Sequence, residues 1–413
     1  MFDLVVIGGG AAGYFGALQA AARATTPFHC VILEAGRKPL QKVRISGGGR
    51  CNVTHAAFDP RELVTHYPRG LRELRGPFSK FGPGDTMAWF EERGVALKIE
   101  ADGRIFPVSD DSASITSALE GEAAQLGIEV RTAAAVVALE RNDDGGPWLV
   151  SLRSGDRLAA KRILLATGGS PRGYRLAESL GIPLIPPVAS LFSFNVPHPS
   201  LYALSGLSVD DAAVAFDDLP YRTRGPLLIT HWGLSGPAIL RASSEAAIDL
   251  HALDYRCRFR VSWIATSPAA ALDYLRAARR QAGGRTLRFA VGLPLPRRLW
   301  QYLVARAGIG LDRRWADLRA EQVNALASVL TEDGYRMEGQ TRFKEEFVTA
   351  GGIDLREVDF RTFAVRRHAG LYAAGELLDI DGVTGGFNFQ AAWTGGFLAG
   401  RAIAASLAPT AAA

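Results

Sequence analysis

The chain has 413 residues and a net charge of +5, with 48% hydrophobic and 22% charged residues. That balance excludes a disordered chain, and the length exceeds what one core usually serves, so two domains are expected. The cysteines Cys30, Cys51 and Cys257 are scattered and form no C-x-x-C pair, which argues against a disulfide framework or a zinc site and fits a reducing cytoplasm.

The histidines show no metal-ligand spacing, so no metal is expected. No basic segment precedes the first apolar run, so no signal peptide is expected, and no apolar run reaches the roughly 18 residues of a membrane span. The reading is of a cytoplasmic protein.

In chain order, Phe2–Ile7 is a β-branched run suited to a strand buried on both faces. Gly8, Gly9 and Gly10 follow, then a helical pattern from Ala11 to about Ala24. A second strand, His29–Leu33, ends at Glu34. A glycine-rich basic loop runs from Gly36 to His55. Helices are expected near Asp85–Arg93 and Asp111–Leu126, and short strands between Ile128 and Ala160 with turns at 142–147 and 154–156. Ile163–Ala166 reads as another buried strand.

Prolines cluster after Leu184, and the texture changes. The expected organisation is a discontinuous domain, 1–190 with 346–413, interrupted by a β-rich cap over 191–345. An Arg-rich helical insert is expected within that cap at about 265–330. Gly236-Pro237-Ala238 reads as a helix start. Gly370–Glu376 reads as strand into turn, and Gly385-Gly386 opens an apolar helix to about Ser406. The tail 408–413 is expected to fray.

Residues 271–320 hold eleven Arg and three Asp and no Lys or Glu, a local charge of +8 that leaves −3 for the rest. Such a face attracts phosphates or is simply solvated.

Gly8-x-Gly10-x-x-Gly13 stands between a strand and a helix, and Glu34 closes the next strand 21 positions after Gly13. In that setting Gly8 makes the tight turn, Gly10 lets a pyrophosphate approach the backbone, and Gly13 lets the helix pack on the sheet. The first helical residues, Ala11 and Ala12, present free N–H groups and a positive dipole to the phosphates. Glu34, with Ala35 beside it, is expected to take the ribose hydroxyls, which disfavours a 2′-phosphate.

A second signature lies near the far end. Gly375-Glu376 ends a strand, and Gly385-Gly386-Phe387-Asn388 starts a helix. FAD-binding two-dinucleotide folds use such a return for the ribityl chain and the flavin, whereas a domain for NAD alone has no use for it. N–H groups around Gly386, Phe387 and Asn388 would stabilise the charge that reduced flavin carries near N1 and O2. Glu376 and Asp381 read as cofactor-positioning acids. No second G-x-G-x-x-G follows a strand, so a nicotinamide donor, NAD(P)H, would visit only transiently.

The stretches IGGGAAG (7–13), LEAGRKPLQKVRISGGGRCNVTH (33–55), DGRIFPVSDDS (102–112), LLATGG (164–169), GLSGPAIL (233–240) and LYAAGELLDIDGVTGGFNFQAAWTGG (371–396) resemble the HI0933-like flavoprotein family. That family is also called BaiN/RdsA and is labelled NAD(P)/FAD-dependent oxidoreductase or aminoacetone oxidase family. The resemblance implies an α/β fold: a two-dinucleotide-binding (Rossmann-type) FAD domain interrupted by a β-barrel-like domain with a helical insert.

It also implies that Lys42 and Arg50 sit near the pyrophosphate of a non-covalent FAD. Ser46, Gly47, Gly48 and Gly49 would pass the flavin ring, with Cys51 and Asn52 at its side. Ala166, Thr167, Gly168 and Gly385 would join the cofactor site, and backbone around Val136 would touch adenine. Cys51 is expected to pack against the cofactor and not to act as a redox thiol.

The implied reaction is hydride transfer between flavin N5 and a substrate C=C or C–N bond, as a reductase in preference to an oxidase, on a small molecule. The alternative is a flavin-dependent dihydrouridine synthase acting on ribosomal RNA, with RNA held through the arginines of 271–320. His231, Ser235 and Asn388 are candidates for the general acid, and His55 is a candidate by residue type alone.

Overall fold

The computed structural model describes residues 1–141, 145–340 and 348–408. The chain divides into two compact units, Met1–Pro187 with Val348–Ala413, and Val188–Phe347. The start of the turn expected at 142–147, the domain boundary expected at 345/346 and all but the first residue of the expected frayed tail lie outside the described residues.

In the first unit, β1 (Phe2–Ile7) and β2 (Cys30–Leu33) are parallel neighbours, with Leu4 opposite Cys30. Leu4, Val5, Val6, Val31 and Ile32 are fully buried. Between the two strands runs α1 (Ala11–Ala21), and every residue from Ala12 to Ala20 is buried, so this helix has no solvent face. It ends three residues before the expected Ala24.

The loop expected over 36–55 is not all loop. Leu40 is buried with φ of 56° and starts α2 (Gln41–Ile45), and a tight turn over Ser46–Gly49 follows. Next come α3 (Leu71–Phe78), α4 (Pro83–Glu91) and α5 (Ala113–Gln125).

β3 (Glu129–Arg131) then pairs in parallel with β2, while β4 (Val136–Arg141) and β5 (Trp148–Leu152) form an antiparallel pair. β6 (Arg157–Leu165) pairs in parallel with β1, Leu4 opposite Arg162. It is nine residues long: Arg157–Ala160 pair antiparallel with β5, and Lys161 and Arg162 follow before the apolar second half. Those charges hide it from a search for apolar runs. α6 (Pro171–Ser179) starts at Ser170, whose hydroxyl accepts from Arg172 N at 3.3 Å.

The second unit carries a six-stranded antiparallel sheet built on β7 (Ser208–Phe216), β8 (Arg222–Thr230), β9 (Gly233–Ser235), β10 (Arg256–Ser262) and β11 (Asp333–Glu338). Its spatial order is Phe194–Asn195, β9, β8, β7, β10, β11. Phe194 at one edge also bridges Gln340, just past the strand at the other edge, so the sheet nearly closes into a barrel. Closure removes exposed strand edges.

α7 (Pro237–Glu245) begins with Pro at its first turn, as expected. Between β10 and β11 lie α8 (Pro268–Gln281), α9 (Arg297–Arg306) and α10 (Ala320–Thr331). Their apolar faces share the core of this unit through Leu275, Trp300, Leu303 and Leu326, all fully buried.

The chain then returns to the first unit. β12 (Leu371–Ala373) pairs in parallel with the second half of β6, completing a nine-stranded sheet. The 21-residue α11 (Phe387–Leu407) packs on α1. Among the described residues no helix is long and apolar enough to cross a membrane, and no group of three or more His, Cys, Asp or Glu could hold a metal ion.

Candidate functional site

The site starts where β1 turns into α1. Gly8 has φ of +112°, and a β-carbon there would strike the Ala166 carbonyl, while one on Gly13 would strike the carbonyl of Gly8. These two glycines serve the fold. Gly10 differs: its φ is an ordinary −92°, and no heavy atom lies within 4 Å of where its β-carbon would stand. The open space at the positive end of α1 suits a phosphate.

The same strand ends gather other candidate residues. A β-carbon on Gly375 would lie 3.0 Å from that of Ala12, and one on Gly168 would lie 3.7 Å from Glu376 Oε2. Gly8, Ala12, Ala166, Thr167, Gly168, Gly375 and Glu376 therefore meet at one end of β1, β6 and β12. Glu376 accepts from Thr349 N at 2.9 Å and is ion-paired with Lys42, 334 residues away in sequence.

Glu34 uses both carboxylate oxygens on backbone, accepting from Gly9 N at 2.9 Å and Gly36 N at 2.6 Å. It is only partly buried, and Ala35 is exposed. The backbone of Glu34 also holds residues 131 and 134, two residues before Val136 opens β4.

A second group forms at the start of α11. The Asn52 amide accepts from Gly386 N at 3.0 Å and donates to the carbonyls of Thr54 at 3.0 Å and Ile105 at 3.3 Å. Gly385 and Gly386 have φ of +128° and +92°, and a β-carbon on Gly386 would lie 2.6 Å from the Thr54 carbonyl. Behind this turn, fully buried Gln390 accepts from Thr54 at 2.6 Å and Thr86 at 2.9 Å and donates to Thr394 at 3.1 Å. The network locks the 52–54 segment against α11. The Phe387 ring stacks on His66 at 4.2 Å and on His55 at 4.6 Å, and its carbonyl accepts from Tyr67 at 2.6 Å. Gly48 and Gly49, left-handed, have no heavy atom within 4 Å of a β-carbon position.

The two groups stand in a fixed relation. Gly396 of α11 lies against Ala12 and Gly16 of α1, and Gly400 lies against Gly16 and Ala20. The helices therefore run parallel, with glycines where their backbones touch. At about 1.5 Å per residue, the N-terminus of α11 stands on the order of 10 Å beyond that of α1. Two positive helix ends so staggered suit the pyrophosphate of FAD at one and the pyrimidine edge of its flavin at the other. A cleft lined by Gly375, Glu376, Leu378, Ile380, Asn388 and Ala391 joins the Glu376 group to α11.

Several candidates have other partners than expected. Arg50, expected at the pyrophosphate, binds Glu100 at 2.7 Å and Asp110 at 3.3 Å and lies over the Phe106 ring at 3.9 Å. Asp381, expected to position the cofactor, is fully buried in a bidentate ion pair with Arg69. Asn388, a candidate acid, spends its amide on one residue: it accepts from Gly382 N at 2.8 Å and donates to Gly382 O at 2.9 Å. That amide acts as a clamp on the turn. Gly386 N–H, expected to face flavin, is capped by Asn52.

Cys51 is fully buried with φ of +62°, and burial pushes its thiol pKa up to about 12. Ser46 donates to Val43 O at 3.0 Å, and a β-carbon on Gly47 would lie 2.9 Å from Phe106. In the second unit, exposed His231 lies edge-on to Trp232, and Ser235 Oγ is 2.6 Å from Ser193 Oγ.

Sequence reasoning missed Thr349, His66, Tyr67 and Arg69. Only their partners at 376, 381 and 387 give them meaning, and no local pattern announces that.

Fold and site together define an FAD-dependent oxidoreductase of the Rossmann type, with FAD bound non-covalently. The profile of the HI0933-like protein Rossmann domain matches residues 2–402, and the chain belongs to that family. It is 30% identical over 406 residues to a ribosomal RNA dihydrouridine synthase of Escherichia coli (strain K12), covering 95% of this chain and 96% of that one. It is also 30% identical over 416 residues to a 3-dehydro-bile acid delta(4,6)-reductase of Clostridium scindens, covering 97% and 98%. Among solved structures, a 3-ketosteroid-delta4-(5alpha)-dehydrogenase from Rhodococcus jostii RHA1 shares the fold, with TM-score 0.50 and 14% identity over 98% of this chain and 96% of that one.

Proposed function

We propose that this protein is a reductase of carbon–carbon double bonds conjugated to a carbonyl. The observation that carries this reading is the parallel, staggered pair of helix N-termini at Gly10 and Gly386. Bound FAD supplies a hydride from N5. The chain's own residues hold it: Gly10 and the first turn of α1 take the pyrophosphate, Glu34 the adenosine ribose, and Glu376 with Lys42 the ribityl–pyrophosphate region. The backbone N–H groups of Phe387 and Asn388 at the start of α11 would present a positive dipole to the flavin's pyrimidine edge, which would stabilise the reduced flavin and ease its loading with electrons from a donor.

Two relatives that match nearly end to end support this bond change. One is named for reducing a bile-acid derivative, the other for making dihydrouridine, which is uridine with its C5–C6 double bond saturated. The test is to photoreduce the flavin-loaded protein without oxygen and add a steroid 4-en-3-one. A product heavier by two hydrogens supports the reading. Reduction of the oxidised flavin by an amine, with no saturation of any enone, refutes it.

A second reading has its own observation. The eleven arginines of 271–320 give this segment a charge of +8, which suits RNA as the substrate carrier. A uridine would have to leave its stack to be reduced. Mapping dihydrouridine in ribosomal RNA from cells with and without the gene tests it: a site lost on deletion and restored by the protein supports RNA, and an unchanged map refutes it.

A further inference from the structure

We infer that the helical insert is a docking surface for single-stranded RNA, built from an arginine cleft and an arginine-capped phenylalanine. This rests on the RNA reading above and names the residues that would carry it.

Arg276, Arg279 and Arg280 fall three and four residues apart on α8, so they share one helix face. All three are exposed, and together with Ala316 they line a cleft. Among the described residues only Arg276 has a carboxylate partner, Asp273 at 3.3 Å, and that aspartate is itself 77% exposed. Water and salt weaken such a pair. Arg279 donates to the Ala316 carbonyl at 3.3 Å, which fixes it at the cleft wall. Three like charges on one face repel each other. A bound polyanion removes that cost.

The cleft floor is held by backbone hydrogen bonds. Ala316 N donates to Gly283 O at 3.0 Å and Trp315 N to Arg285 O at 2.9 Å, while the Trp315 ring stacks on Trp300 at 5.8 Å. These bonds also hold Arg285 and, through the Thr286–Arg314 bridge, Arg314 close by, and both are exposed. The same insert leaves Phe289 55% exposed, with the Arg297 guanidinium 4.4 Å from the ring centre. An exposed ring beside guanidinium groups stacks on a base, as a cleft of guanidinium groups holds phosphates. An acidic protein would use the charges but has no need of the ring.

The test titrates labelled oligouridylate with the flavin-loaded protein over a range of salt. Replacing Arg276, Arg279 and Arg280 together by Gln should weaken binding at least tenfold. It should also flatten the plot of log affinity against log salt by about 2, at roughly 0.7 per lost phosphate contact. The triple Lys variant should keep the slope, which guards against a folding defect. Phe289→Ala should weaken binding about tenfold with the slope unchanged. Flavin absorbance and enone turnover should not change in any variant. Equal affinity and slope in wild type and the Gln variant overturn the inference, as does loss confined to binding of phosphatidylglycerol vesicles. If the wild type makes dihydrouridine yet binds RNA equally well without these arginines, the surface fails and the RNA reading stands. If it makes none, both fall.

Discussion

Gly396 of the last helix meets Ala12 of the first so closely that a β-carbon at 396 would lie 2.7 Å from the Ala12 carbonyl oxygen. That contact sets the stagger of the two helix ends. Gly396→Val should force α1 and α11 apart and destabilise the protein by about 1–3 kcal/mol, the usual cost of overpacking. FAD should be retained poorly, because both ends of its site shift. Urea unfolding and the ratio of flavin to protein absorbance measure the two effects.

Glu34 ties Gly9 and Gly36 to the end of β2. Glu34→Ala leaves two N–H groups without their carboxylate, at about 1–3 kcal/mol for each that water cannot reach. It also removes the proposed ribose acceptor. FAD affinity should fall about tenfold to a hundredfold, two such losses of order 1.4–2.8 kcal/mol in binding. Glu34→Gln, which keeps one acceptor, should fall less. Quenching of flavin fluorescence during titration reads both.

Much of this was legible in the sequence, for reasons that differ by element. β1 is apolar but for Asp3, and α11 follows a glycine pair and stays mostly apolar along its length. Largely buried elements announce themselves in this way. α2 was not legible, because it starts at Leu40 with φ of 56°, a backbone that only the buried setting of that leucine explains. α3 was missed because it contains Gly76 and Pro77. α6 had a usable signal, Ser170-Pro171 at its start, which matches a helix cap.

In the candidate site, the placement of the glycine motif between β1 and α1 and of Glu34 at the end of β2 was readable because spacing encodes it. The partners of Arg50, Asp381 and Asn388 were not. Each depends on a residue that is distant in the chain or on how a turn folds back, and spacing does not encode that.

Asp379 offers a test by pH. Burial raises its carboxyl above the usual range, and this outweighs the bond from Gly351 N at 2.9 Å and the attraction of Arg69. A raised folded-state value means that folding favours the protonated form. The associated stability is present below the unfolded value and is lost as pH rises through the folded one. At pH 7 the wild type therefore carries the full penalty. Asp379→Asn keeps an acceptor for Gly351 and cannot ionise. Its melting temperature should exceed the wild type's at pH 7, and the gap should shrink on acidification toward pH 4. A variant less stable than the wild type at pH 7 would show that the attraction of Arg69 dominates.

Cys51 should be chemically quiet. With its thiol pKa at about 12 and no surface exposed, almost no thiolate exists at pH 8. Native protein treated with iodoacetamide should be recovered with Cys51 unmodified, and urea should expose it to full alkylation. Mass spectrometry of the peptide decides. Rapid labelling of the folded protein would return Cys51 to consideration as a redox group.

The most direct test of the site is at Gly10. Nothing in the protein lies within 4 Å of a β-carbon there, and its backbone angles suit any residue. Gly10→Asp should therefore fold as well as the wild type when both lack flavin, by circular dichroism and thermal unfolding. Its carboxylate would occupy the space assigned to the pyrophosphate and repel it. Titrating both flavin-free proteins with FAD should give tight binding for the wild type and none for the variant. Equal affinity in the two would contradict the placement of FAD at this helix end, and the proposed chemistry would lose its site.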